Sequence, residues 1–336
     1  VGKMNIYETR QIRNVVVLGH GGCGKTTMVE AMAYVTGVTN RMGKVSDGNT
    51  ISDFDKEETK RLFSIGTSVV PIEWEGIKIN LLDTPGYFDF VGEVEEALSA
   101  ADAAIIVING KSGIEVGTQK AWDFCEKYDL PRMFFVTNMD DDHASFREVV
   151  VKLSEMYGRR IAPFHIPIRE NEKFVGFVNV VKMKGRRFIG NTSDYEECEI
   201  PDYSEKYLTI SRESLIEAVA ETSEEYMERY FAGEEFTYEE VSSALREHVL
   251  DGQIVPVLMG SGLYAQGPKM LLMAIEKYFP SPDMCSIYGN DTSNGEMVML
   301  NYDCTKHVSA KVFKTIVDPF IGKYSLIKVV TGVLKA

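Results

Sequence analysis

Eight residues near the start of the chain constrain its fold more than any other feature. The run Gly19-His20-Gly21-Gly22-Cys23-Gly24-Lys25-Thr26 fits the pattern G-x-x-x-x-G-K-[ST] at every fixed position. Residues 15–18 before it are apolar and β-branched, as in a buried strand, and residues 27–33 after it have the composition of a helix. Such a loop directs backbone N–H groups and a helix N-terminus at phosphate oxygens. The sequence therefore predicts a site for a nucleoside triphosphate; the alternative is a glycine-rich turn without a ligand.

A second motif, Asp83-Thr84-Pro85-Gly86, directly follows a predicted strand over residues 77–82. In a phosphate site, Lys25 would contact the β- and γ-phosphates and the Thr26 hydroxyl would bind Mg²⁺. Asp83 would hold the ion through water, and Gly86 would offer its backbone N–H to the γ-phosphate. D-x-P-G is also an ordinary turn sequence. After a phosphate-binding loop, it favours the GTPases over other nucleotide-binding enzymes.

Strands and helices alternate from residue 15 to 157, which predicts an α/β fold with a doubly wound, mostly parallel sheet. This alternation stops over residues 161–250, where we expect an inserted α+β subdomain. Within it we expect a turn at Lys184-Gly185-Arg186 and acidic helices over 203–231 and 238–249. The alternation resumes with a strand over 254–258 and a helix over 268–278. The expected divisions are a nucleotide-binding domain at 4–160 and 251–282, the insert at 161–250, a linker at 283–304, and the first strands of a truncated β-barrel domain at 305–336. The expected elements of the first domain are strands at 14–18, 77–82, 103–108 and 133–136 and helices at 27–34, 94–100, 117–127 and 145–157.

Composition excludes several classes of protein. The 336 residues carry a net charge of −14, which argues against coating nucleic acid with the whole surface but allows docking on a ribonucleoprotein through a local patch. No stretch is long and apolar enough to predict a membrane span. The five cysteines are scattered and include no C-x-x-C pair, as in a reducing compartment. We therefore expect a cytoplasmic protein, and a monomer.

The sequence resembles elongation factor G, a translational GTPase, and in particular its bacterial paralogues. The resemblance is carried by residues 19–27, 79–90, 113–119 and 318–323 and extends over nearly the whole chain. It implies a P-loop GTPase domain that binds GTP or GDP with Mg²⁺, an insert near 161–250, and the first strands of a β-barrel domain. It also implies that the ribosome is the partner and that hydrolysis is slow until the ribosome completes the site.

The resemblance assigns roles to individual residues. Thr26, Ser64 and Asp83 correspond to the residues that hold Mg²⁺, and Ser64 stands where the family has the threonine that senses the γ-phosphate; a serine at a strand edge is the alternative. The guanine contacts fall on Thr137, Asn138 and Asp140 and on Ser261, Gly262 and Leu263. Asp140 would accept hydrogen bonds from guanine N1–H and N2–H₂, and a helix cap is its alternative role. The phosphate contacts fall on Gly19, His20, Gly21, Gly22, Cys23, Gly24, Lys25, Thr26, Thr27, Asp83 and Gly86.

Several positions depart from the family pattern. Thr137 and Asn138 replace the asparagine and lysine of the N-K-x-D box, and Gly22 replaces an aspartate common in the phosphate loop. Leu62 and Phe63 replace glycine and isoleucine in the switch. Lys25, Gly86 and Tyr87 are the candidate catalytic residues, but Tyr87 stands in place of the histidine that orients the attacking water. A tyrosine hydroxyl is a poor general base at neutral pH, although phosphoryl transfer depends more on positioning and electrostatics.

These departures leave three functions open within the family and one outside it. The leading prediction is a GTP-hydrolysing translation factor that acts on the ribosome in translocation or a related step. The alternatives are a nucleotide-dependent ribosome-binding protein with weak or no hydrolysis, with Tyr87 as a packing aromatic, and a ribosomal-protection factor. An ATP-dependent kinase or transport ATPase needs the phosphate loop but does not account for Asp140 or Gly262.

Overall fold

Short apolar runs, rich in β-branched residues, form the strands of the central sheet. The computed structural model describes residues 5–318 and 322–335. Within them the strands are β1 Ile12–Gly19, β2 Ser68–Trp74, β3 Ile77–Asp83, β4 Ala103–Asn109, β5 Arg132–Thr137, β6 Ile161–Pro163, β7 His165–Glu170, β8 Lys173–Asn179, β9 Lys184–Phe188, β10 Tyr195–Cys198, β11 Val255–Met259, β12 Ile287–Asn290, β13 Met297–Leu300, β14 Ser309–Asp318 and β15 Gly322–Thr331. The α-helices are α1 Lys25–Val35, α2 Lys56–Arg61, α3 Val91–Leu98, α4 Val116–Lys127, α5 Phe146–Tyr157, α6 Asp202–Ala220, α7 Glu224–Phe231, α8 Tyr238–Leu250 and α9 Pro268–Tyr278.

Seven strands form one sheet in the order β2-β3-β1-β4-β5-β11-β6. Only β2 runs antiparallel to its neighbour, so the carboxyl ends of the other six meet at one edge. Every residue of β5 and β11 is buried, as is typical of strands covered on both faces. The predicted α/β fold with a doubly wound sheet is confirmed. Loops at the carboxyl edge of such a sheet are where ligands bind.

The inserted residues form a separate antiparallel sheet in the order β10-β9-β8-β7, accompanied by α6, α7 and α8. The predicted turn at Lys184-Gly185-Arg186 is wrong: these residues begin β9, and the chain turns over 180–183. Gly185 serves a close approach between strands, because a Cβ there would lie 2.6 Å from the Cys198 carbonyl oxygen. The local sequence alone did not separate this use of glycine from a turn.

Two further details differ from the sequence predictions. The predicted helix over 203–231 is two helices, because Ser223 accepts a hydrogen bond from the Tyr226 N–H and so caps α7. Residues 161–163, assigned above to the insert, are β6 and extend the central sheet through parallel pairing with β11.

The residues that follow the last helix of the sheet domain form two hairpins. The stretch expected to be a linker contains the paired strands β12 and β13, and β14 pairs with β15. Lys314 on β14 donates to the Thr67 carbonyl oxygen at 2.8 Å and forms an ion pair with Glu93 on α3. Lys328 on β15 pairs with buried Asp102. The second hairpin is therefore attached to the sheet domain by two ion pairs. The resembling stretch 318–323 lies partly outside the described residues, at 319–321.

Candidate nucleotide site

The loop from Gly19 to Gly24 joins the end of β1 to the start of α1, as the sequence predicted. Gly24 caps the helix with φ +97°, a conformation that favours glycine. Lys25 is buried, and its Nζ donates to the carbonyl oxygens of Gly19 at 3.1 Å and His20 at 2.9 Å. The ammonium thus lies across the mouth of its own loop, and positive charge gathers where the helix N-terminus also favours anions.

The three predicted metal ligands come together beside this loop. Thr26 Oγ1 donates to Asp83 Oδ2 at 2.9 Å, and Ser64 Oγ lies 3.1 Å from Thr26 Oγ1. Burial raises the pKa of Asp83, whose second oxygen, Oδ1, is buried without a hydrogen-bond partner among residues 5–318 and 322–335. An unpartnered carboxylate oxygen beside two hydroxyl oxygens is an oxygen donor set of the kind that Mg²⁺ prefers.

Two residues of this cluster were missed by the sequence reasoning. Ser52 Oγ donates to Asp83 Oδ2 at 2.7 Å, and Ser64 Oγ donates to Asp53 Oδ1 at 2.7 Å. Burial raises the pKa of Asp53 to about 6. When Thr26 and Ser64 give their protons to the two carboxylates, lone pairs on both hydroxyl oxygens are free to bind a cation. The described residues contain no group of three or more His, Cys, Asp or Glu side chains that could hold a metal.

Residues 43–66, which we call the switch segment, are bonded by two buried glutamates, Glu30 on α1 and Glu58 within the segment itself. Glu30 of α1 accepts from the backbone N–H groups of Gly43 at 2.6 Å and Ile51 at 2.7 Å. Glu58 accepts from the backbone N–H groups of Ile65 at 2.9 Å and Gly66 at 3.0 Å. A charged acceptor with two N–H donors is a strong hydrogen-bonding arrangement. Glu58 also forms a capping box with Asp55 at the start of α2, which the D-x-x-E pattern marks, whereas no short pattern marks the reach of Glu30 to residues 43 and 51.

A second group of residues approaches the phosphate loop from the other side. Thr137 at the end of β5 is buried, and its Oγ1 lies 2.6 Å from the Cys23 carbonyl oxygen, to which it donates. Thr137 therefore bonds the end of β5 directly to the phosphate loop. Asn138 follows with φ +56° in the left-handed region, where asparagine is tolerated. The chain thus turns sharply before Asp140.

The loop after β11 completes this side of the site. The Met139 N–H donates to the Gly260 carbonyl oxygen at 3.2 Å, which joins the two loops. A Cβ on Gly262 would lie 2.9 Å from the Thr27 side chain, so Gly262 packs tightly against the first turn of α1. Ser261 is fully buried, whereas Leu263 is exposed. Asp140 Oδ1 is buried and has no partner within the described ranges. This unpartnered oxygen would accept one N–H group of a guanine edge, and the second carboxylate oxygen of Asp140 would accept the other.

Comparison with known proteins places this arrangement in a family. Residues 10–281 match the family described as elongation factor Tu GTP binding domain. The chain belongs to this family. It is 36% identical over 327 residues to elongation factor G of Thermotoga petrophila and, to the same extent, to elongation factor G of Thermotoga sp. strain RQ2. Both alignments cover 97% of this chain and 47% of the relative.

The structural comparison agrees. A crystal structure of a protein from Thermus thermophilus superposes with a TM-score of 0.83 at 35% identity, over 96% of this chain and 46% of that one. The chain therefore spans about half the length of the relatives it matches, and the predicted resemblance to elongation factor G is confirmed. Within residues 5–318 and 322–335, none of the helices combines the length and the apolar composition that a membrane span requires.

Two of the candidate catalytic residues, Gly86 and Tyr87, lie beside the phosphate loop. A Cβ on Gly86 would lie 2.5 Å from Lys25 Nζ and 2.7 Å from the Gly21 nitrogen, so only glycine fits this approach to the phosphate loop. Tyr87 is 46% exposed, and its ring packs 4.8 Å from that of Phe63, centroid to centroid. Both aromatic rings, together with Ser64, border a cavity of about 190 Å³ at the phosphate loop. The substituted switch residue Phe63 therefore meets the substituted Tyr87.

Proposed function

We propose that this chain binds guanine nucleotides with Mg²⁺, hydrolyses GTP, and acts on the ribosome as a translation factor resembling elongation factor G. The observation that carries the proposal is the buried, unpartnered Oδ1 of Asp140, in a loop bonded to Gly260 and adjoining the Thr137 contact to the phosphate loop. A site whose acceptor is satisfied only by guanine N–H groups discriminates strongly against adenine.

The chain's own residues account for most of the chemistry. Lys25 and the backbone N–H groups of the loop would bind the β- and γ-phosphates, and Lys25 would exchange its carbonyl partners for phosphate oxygens. Gly86, in contact with Lys25 and Gly21, would donate its N–H to the γ-phosphate. Thr26, Ser64 and Asp83 would hold Mg²⁺, which when bound neutralises charge that develops on the phosphate oxygens.

An alternative within the same family has a specific observation in its favour. Tyr87 packs against Phe63 rather than standing free above the phosphate loop. If this packing persists with nucleotide bound, the tyrosine would shield the γ-phosphate instead of orienting water. The chain would then bind the ribosome in a nucleotide-dependent way with weak or no hydrolysis, and a ribosomal-protection role would be compatible with that behaviour.

Competition binding tests the base assignment. GDP, ADP and XDP are titrated against a fluorescent GDP analogue, with the expected order GDP, then XDP, then ADP. Asp140→Asn should shift preference toward XDP, because the amide accepts from guanine less well and pairs with the additional xanthine carbonyl. Asp142→Asn is the matched control, since Asp142 lies in the same loop but is exposed. An unchanged ranking in Asp140→Asn would remove Asp140 from the base site.

Turnover separates the enzyme from the binding protein. Phosphate release from GTP is measured with and without ribosomes, and Lys25→Ala serves as the inactive control. Release above this control, increased by ribosomes, supports the GTPase. Release equal to the control in both settings, with intact GDP binding, rejects hydrolysis and leaves the nucleotide-dependent binding protein.

We also propose that the chain divides as its strands suggest. The GTP-binding domain would comprise residues 5–163 and 251–282, the insert residues 164–250, and β14 with β15 would begin a β-barrel domain. A cytoplasmic, monomeric protein is the matching proposal for location and assembly.

A further inference from the structure

One arginine of the insert reaches the loop that carries Asp140. Arg169 lies on β7, and its Nη2 is within hydrogen-bond distance of three carbonyl oxygens: Met139 at 2.7 Å, Asp141 at 3.2 Å and Ala144 at 3.2 Å. Its Nη1 donates to the Glu172 carbonyl oxygen at 2.6 Å, within the insert. A single guanidinium therefore joins the insert to residues 139–144, which we call the base loop.

The carbonyl contacts bracket the predicted guanine ligand. Met139 and Asp141 stand immediately before and after Asp140, so holding their carbonyl oxygens restrains the backbone from which the Asp140 side chain extends. That side chain needs such support, because its buried Oδ1 receives no hydrogen bond within residues 5–318 and 322–335. A planar guanidinium with several N–H donors in fixed directions suits this task better than an ammonium.

Arg169 is itself held in place from the insert. It is half-buried, and the hydroxyl of Tyr203 on α6 donates to its backbone carbonyl oxygen at 2.8 Å. Burial lowers the pKa of Arg169, against the opposing effect of the nearby carboxylates Asp142, Asp140 and Asp141. The guanidinium remains charged in proteins, so it also offsets the repulsion among these three successive carboxylates.

We propose that Arg169 is a positioning residue that holds Asp140 in its guanine-binding direction, so that the insert sets the affinity and base selectivity of the nucleotide site. This inference rests on the proposed function, because it needs Asp140 to bind guanine. Any displacement of β7 relative to the sheet domain would move the base loop and speed the release of nucleotide.

The test uses a probe that reports on the Asp140 contact. IDP lacks the 2-amino group of GDP, so the ratio of GDP affinity to IDP affinity measures the hydrogen bond from N2–H₂ to the carboxylate. In Arg169→Ala we expect this ratio to fall several-fold and the fluorescent GDP analogue to dissociate about tenfold faster, equivalent to one or two lost hydrogen bonds. Arg169→Lys, which retains charge but not the planar donors, should fall between Arg169→Ala and the native chain.

Arg212→Ala is the matched control. Arg212 is also in the insert and half-buried, and it donates to two carbonyl oxygens, those of Val180 at 3.1 Å and Val181 at 3.2 Å, away from the base loop. Its removal should leave the GDP to IDP ratio unchanged. Circular dichroism verifies folding, and if Arg169→Ala does not fold, Arg169→Lys against the native chain decides.

The outcomes are distinct. An unchanged GDP to IDP ratio in folded Arg169 variants, or an equal fall in Arg212→Ala, overturns the positioning role while GDP binding by the native chain stands. A native chain that does not prefer GDP over IDP and ADP fails the proposed function itself. A fall confined to the Arg169 variants supports the inference.

Discussion

Removing the Thr137 hydroxyl should loosen the phosphate loop without enlarging any cavity. Thr137→Val replaces the hydroxyl with a methyl group of similar size at a position that is 1% exposed. The hydroxyl lies 2.6 Å from the Cys23 carbonyl oxygen and 3.1 Å from that of Ile108, and its one proton serves the shorter contact best. Valine supplies no donor to either oxygen.

The magnitude follows from these contacts. A buried carbonyl oxygen left without its donor costs about 1–3 kcal/mol. We expect the free energy of unfolding to fall by that amount in urea denaturation. Because Cys23 belongs to the phosphate loop, part of the loss should appear in the nucleotide-bound state, and about 1.4 kcal/mol there corresponds to a tenfold faster dissociation of a fluorescent GDP analogue.

Thr137→Ser supplies the comparison. Serine keeps the donor and loses one buried methyl group, worth about 0.8 kcal/mol by transfer alone. The serine variant should therefore lose some stability and keep the native dissociation rate, whereas the valine variant should release nucleotide faster. Equal dissociation rates for the two variants would refute the reasoning that this hydroxyl couples the end of β5 to the phosphate loop.

Three further predictions concern stability and attachment. Glu30→Gln should lower the free energy of unfolding by about 1–3 kcal/mol in urea, because an amide replaces a buried charged acceptor of two backbone N–H groups. Exposed Glu57→Gln, which loses only a surface ion pair with Arg61, should cost about 0.5 kcal/mol or less. Burial lowers the pKa of His165 from 6.5 to about 3, so between pH 6.5 and pH 3 only the unfolded chain takes up the proton. The free energy of unfolding therefore decreases as the pH is lowered. Between pH 7.5 and pH 5 we expect this group to remove about 2 kcal/mol, and His165→Gln should flatten the measured pH dependence; an equally steep variant would contradict the assignment. A double-mutant cycle of Glu93→Gln and Lys314→Met should give a coupling energy of about 1 kcal/mol in thermal unfolding, and additive effects would show that this ion pair does not attach the hairpin.

The sequence predicted the sheet domain well because its signals are local. Three adjacent signals indicate the same structure: the apolar run of β1, the glycines of the loop and the start of α1 at Lys25. The predicted metal ligands also lie together, since Thr26 is within hydrogen-bonding distance of both Ser64 and Asp83. Their roles in binding remain predictions.

What the sequence did not predict depends on contacts between distant residues. Glu30 binds the switch segment 13 and 21 positions away, and Ser52 reaches Asp83 across 31 positions, so no short pattern marks either of them. Gly185 was interpreted as a turn because its neighbour across the sheet, Cys198, is invisible in the local sequence. Arg169 is a further case, because a surface arginine and a loop-anchoring arginine have the same local context.

Lys314 on the second hairpin contacts two separate segments of the sheet domain. Its ammonium contacts Thr67, directly after the switch segment, and Glu93 on the helix that follows Gly86 and Tyr87, while its strand belongs to the second hairpin. Thr67 and Glu93 also bond to each other through the Thr67 N–H, at 2.7 Å. A rearrangement of either neighbourhood must therefore break these bonds or move the second hairpin with it, so the hairpin and the two segments beside the phosphate loop are mechanically coupled.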